Sequence, residues 1–269
     1  MEPEESVASN TLVPTTSAAK RLRRIFEHFN VFSNNKAIHA QWAKVFQVSP
    51  SDPSQPQLVA TEVARQLSLV GRQIDLVERK LQADHPTLSS GTTTNQTHRL
   101  RLLLANCLSN LQAPWANLKA DLTPDLLKSL EFWDELIVCD EYEISNAGLD
   151  EINELLRQAE ELANTSKEKD LASVLLQAIL SMKRAIRDYA IGGEEEFRRS
   201  ARDAYATIIS NADLIQRNSQ SEEVSALAKA WKKFQKVCAP ILFADALLTA
   251  GGRFKALADP IIRMLGNGS

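Results

Sequence analysis

Apolar residues recur at steps of three and four along most of the chain, the repeat of one face of an α-helix. The clearest stretch is Gln57 to Asp84, where Val63, Leu67, Val70, Ile74, Val77 and Leu81 form a seam. That spacing is a heptad pattern and predicts a long helix. The same rhythm returns in Leu171, Leu175, Ala178, Met182, Ala185 and Tyr189, which Gly192-Gly193 ends. Shorter stripes predict helices around Leu22–Phe29, Ile38–Phe46, Leu100–Leu111, Leu126–Ile137, Leu149–Leu162, Phe197–Ile215 and Val224–Cys238, with a short one at Ile261–Leu265. No run alternates long enough to predict a strand. The expected fold is all-α, an antiparallel bundle of roughly nine or ten helices.

Helix boundaries come from capping chemistry. Ser33-Asn34-Asn35 offers an N-cap, as does Thr123 before Pro124 and Asp125. Thr165 with Glu168 and Ser219 with Glu222 have capping-box spacing. Pro114 is expected to interrupt a helix, and Pro240 to kink or end one. Polar loops are expected at Ser49–Pro56, His85–Thr97 and Asp140–Gly148. Residues 1–16 lack apolar periodicity and read as a disordered leader. Residues 17–118, with long polar loops, form an N-terminal helical region, and residues 119–269 a C-terminal bundle with short, capped links.

Composition supports this picture. The 269 residues contain only 9 Gly and 10 Pro, and 6% are aromatic. Few turns can be built from that stock, and the Leu and Ala excess favours helix over sheet. No apolar run approaches the ~18 residues of a membrane span. Cys107, Cys139 and Cys238 are too scattered for a disulfide framework or a zinc site. Buried free thiols and a cytoplasmic location are the expectation. No cofactor is expected.

Net charge is −3, but it is segregated. Residues 17–48 carry six cations against one acid, and residues 119–164 three cations against thirteen acids. Asp134, Glu135, Asp140, Glu141 and Glu143 gather around one interhelical turn. Such a block is a solvated face, a dock for the basic first helices, or a site for a basic partner protein. Lys229, Lys232, Lys233 and Lys236 form a second, basic stripe beside Trp231 and Phe234, a pattern that can track phosphates if the rings are free to stack.

Catalytic motifs are sparse. Gly-rich phosphate loops, nucleophile elbows and His-based zinc motifs are missing from the sequence. Metal-independent helical RNases of the HEPN class carry an Arg followed at short range by a His, and Arg79 with His85, or Arg23 with His28, meets that spacing. In such an enzyme His moves a proton and Arg steadies the phosphate. A spacing this loose arises at little above chance frequency and establishes no kinship. The expected function is therefore non-enzymatic: a helical scaffold that binds a partner protein through helix faces and the acidic segment. Self-association through the heptad faces is open to it. A HEPN-like RNase or another nucleic-acid-associated protein is the alternative.

Overall fold

The computed structural model describes residues 17–48, 56–88, 91, 93–137 and 141–243. Among these the fold is all-α, with nine α-helices and no strand. They are α1 Ala18–Asn30, α2 Ile38–Val45, α3 Pro56–Asp84, α4 Thr94–Ser109, α5 Pro124–Leu136, α6 Asn146–Thr165, α7 Lys169–Ser210, α8 Ala212–Arg217 and α9 Glu222–Phe243. None of them is long and apolar enough to cross a membrane. The readings made for residues 1–16, for 49–55 and for the tail from 244 on lie outside the described residues, as do Cys139 and Asp140.

The chain divides into two compact units, Met1–Glu141 with Ala190–Gly193, and Tyr142–Tyr189 with Glu194–Ser269. Leu118 lies inside the first unit. α5, on the far side of Leu118, packs there on α1.

In the first unit α3 is the central rod, against which α1, α2, α4 and α5 pack. All six residues of its seam are fully buried, so the seam is core. Leu69 is buried too, which puts apolar contact on more than one side of the helix. An aromatic knot closes one end of this unit. Phe29 lies 4.6 Å from Trp42 and 4.5 Å from Trp115, ring centre to ring centre. Trp42 stacks on Phe46.

The second unit is built from α6, α7, α8 and α9. Ile152, Leu156, Ala159 and Ala163 of α6 are buried with Leu227, Trp231, Phe234 and Cys238 of α9. The small side chains on α6 suit its close approach to α9: a Cβ added to Gly148 would stand 2.8 Å from Val237 Cγ1. α7 is formally 42 residues, but Gly193 breaks it with φ 69° and ψ −158°. That is a region only glycine occupies readily. The two halves fold back on each other: Ser200 Oγ donates to Asp188 Oδ2 at 2.5 Å, whereas twelve residues of straight helix would separate them by about 18 Å. Gly192-Gly193 thus does end the first stripe.

Several predicted caps are replaced. α2 starts from Ala37, not from the Ser33-Asn34-Asn35 turn. That turn is held instead by Gln41, which donates to Ser33 O and Lys36 O and accepts from Ser33 N. Thr123 does precede α5, but its Oγ1 makes no cap bond and accepts from Arg99 Nη2 at 2.8 Å. Thr165 Oγ1 donates back to Glu161 O and Leu162 O, so the expected capping box with Glu168 does not form. Ser221, rather than Ser219, accepts from the first turn of α9 through Val224 N. In each case the hydroxyl or amide meets a better-placed partner. Two loops are shorter than expected: α4 already begins at Thr94, and Ser145 caps α6 by accepting from Gly148 N. Pro240 sits inside α9, which continues to Phe243.

Candidate functional site

The acidic segment is the strongest surface feature of the sequence, and the structure divides its members. Within the first unit, Arg21 of α1 is fully buried and makes a two-pronged ion pair with Glu141, Nη1 to Oε2 and Nη2 to Oε1, both at 2.7 Å. Gln73 of α3 completes the cluster. Its Oε1 accepts from Arg21 Nε at 3.2 Å and Nη2 at 2.9 Å, and its Nε2 donates to Gly192 O at 2.9 Å. Gly193 passes so close that an added Cβ would lie 2.5 Å from Arg21 Nη2. Parallel Arg–carboxylate bonds of this kind are among the strongest protein hydrogen bonds. This arrangement holds the fold together.

Arg23, two residues on, reaches Glu131 and Asp134 of α5 at 3.7 Å each, and Glu27 on its own helix at 2.8 Å. Contact with Glu27 and the other two acids raises the Arg23 pKa further. Asp134 and Glu141 are therefore used inside the molecule, by the cations of the first helix. Glu135 remains exposed on α5, and Glu143 is exposed in the second unit. Asp140 lies outside the described residues.

What α5 leaves uncovered is an aromatic residue. Leu126, Leu130 and Trp133 face inward. Phe132 does not share their stripe and is 47% exposed. Lys128, Glu131 and Glu135 are exposed around it, at −4, −1 and +3 along the helix. These positions share one helix face. The sequence signal was available: Phe132 falls between two core positions and belongs to neither row.

The basic stripe on α9 behaves differently. Trp231 and Phe234 are buried and stacked on each other, with Phe234 also stacked on Phe197 and Trp231 edge-on to Tyr205. They are core, with no face free for a base. Lys233 pairs with Glu151 of α6. Lys229, Lys232 and Lys236 are exposed.

The Arg–His spacings lead to separate structural roles. Arg79 is exposed and its Nε donates to Asp75 O on the same helix. His85 Nε2 meets Leu136 O at 3.4 Å. His28 is half-buried, and burial lowers its pKa, more than Glu27 raises it. Burial also pushes the thiols of Cys107 and Cys238 up to about 12 each, far from the range of a reactive thiolate. Among the described residues no three His, Cys, Asp or Glu side chains gather closely enough to hold a metal ion. No family model matches the chain, and neither a curated protein nor a solved structure does.

Proposed function

We propose that the protein is a non-enzymatic helical binding module, and that its partner is a protein docking on the outer face of α5. The observation that carries this reading is the exposure of Phe132 on the face that presents Glu135, while Glu131 beside it is 3.7 Å from Arg23. An aromatic anchor inside a charged rim is the arrangement from which protein interfaces draw most of their binding energy. The acids give orientation and speed of encounter toward a basic partner surface. Glu135 takes the role that the whole acidic segment has in the sequence, because Asp134 and Glu141 are engaged with Arg23 and Arg21.

The test is capture by the full-length tagged chain from nuclease-treated extract of its native host. The expected partner is retained at low salt and released as ionic strength rises. Phe132→Ala is expected to abolish capture, and Glu135→Gln with Glu131→Gln to weaken it, with helicity unchanged. Equal recovery by all three proteins would remove the α5 face from consideration. A partner captured only from untreated extract would favour the nucleic-acid alternative and the lysines of α9.

A further inference from the structure

Gly193 is the one residue within Lys169–Ser210 with non-helical backbone angles. The two halves of α7 are therefore joined by the shortest hinge a helical hairpin can have. Changing φ and ψ at this position alone would turn the segment into one uninterrupted helix. Side-chain contacts hold the two halves together within seven residues of the hinge, and others join α9 to α6. Asp188 accepts from Ser200 Oγ, Tyr189 meets Phe197 edge-on at 6.0 Å, and α9 seals α6 through Glu151–Lys233 and Gly148–Val237.

We propose that this chain has a second folded state, a domain-swapped dimer with a second copy of itself. Lys169–Ser210 is one straight helix there, and Glu194–Phe243 of each copy packs on α6 and the first half of α7 of the other. Every contact just named is remade between chains, so the interface needs no new surface. Only the hinge differs. In the closed form Gly193 is in a backbone region that glycine alone tolerates well. In the open form it is ordinary helix, and the backbone hydrogen bonds interrupted at the break are restored. Short hinges are a setting in which swapping occurs. The balance depends on protein concentration, as for any dimer.

The closed form is the one that a side chain at Gly193 penalises, by its φ and by contact with Arg21 and Glu141. Gly193→Ala is therefore expected to shift the monomer–dimer balance toward dimer by about tenfold or more. Light scattering after size-exclusion chromatography reads this directly. Glu151→Cys with Lys233→Cys, in a Cys139→Ser background and joined by a short bis-maleimide, reports which chains are in contact. In the swapped dimer the link joins two chains and denatured protein runs at twice the chain mass. Inserting Gly-Ser-Gly-Ser after Gly193 is expected to restore the monomer. A monomeric Gly193→Ala protein, a link confined within each chain, or a dimer that survives the insertion would each overturn the proposal. Should Gly193→Ala not fold, wild-type chain refolded at high concentration takes its place. Interchain links that the insertion removes support the swap, and their absence refutes it.

Discussion

Two ion pairs, one in each unit, differ in burial: that of Arg21 in the first unit is interior and that of Arg157 in the second lies at the surface, although the second unit buries Asp188 and Glu196 as well. Arg21 is fully buried and bonds to Glu141 and Gln73, 120 and 52 residues away in sequence. Arg157 on α6 is about half exposed and bonds to Glu154 and Glu161, three and four residues away. The bond lengths are alike, but the energetics are not. A buried ion pair whose partner is removed leaves a charge without water or counter-charge. An exposed pair on one helix turn exchanges its partner for solvent at almost no loss. Glu154 is held down to about 2 by the Arg157 and Gln158 hydrogen bonds. With both side chains open to solvent, this contributes little to folding. The comparison teaches that short distances count for stability only where solvent cannot replace the partner.

The largest effect expected is at Arg21. Arg21→Ala should lower unfolding free energy by about 3–5 kcal/mol, read from the urea midpoint. Adding Glu141→Gln should return part of that loss, because the stranded carboxylate disappears. If Arg21→Ala unfolds like wild type, the buried pair counts for no more than the exposed one. A smaller effect is expected at His28. Its pKa is lowered in the folded chain, so the unfolded chain binds the proton more readily. Stability from this group is complete above the ordinary value of 6.5 and declines as pH falls through 6.5 toward the lowered value. His28→Gln should flatten the dependence of the thermal midpoint on pH in that acidic window. An unchanged slope would mean that the ring titrates alike in both states. The smallest effect is at Arg157, where Arg157→Ala should leave the urea midpoint within measurement error. A clear drop there would erase the contrast between the buried pair and the exposed one.

This contrast also explains what could be read from sequence. The α3 and α7 stripes were legible because helix packing repeats every three or four residues, and every seam residue from Val63 to Leu81 is buried. The end of the α7 stripe at Gly192-Gly193 was legible for the same local reason. The Arg21–Gln73–Glu141 cluster was not. Its members come from three distant segments, and only the segregation of charge hinted that basic α1 meets acidic α5. Caps misled where a hydroxyl had a distant suitor, as Thr123 has in Arg99. The exposed Phe132 was missed, although it lies outside the Leu126–Leu130–Trp133 row of its helix. Asp134 and Glu141, chosen for their charge, proved to be internal because charge alone does not say which way a side chain faces.

All four tryptophans are interior, Trp42, Trp115 and Trp133 in the first unit and Trp231 in the second. Nature has thus fitted each unit with its own fluorophore, in unequal dose. Indole emission in water-free surroundings is blue-shifted, so loss of either unit reddens the spectrum by a different amount. Replacing Trp231 with Phe would silence the second unit and leave the light of the first alone. The melting of each half can then be followed without attaching a dye.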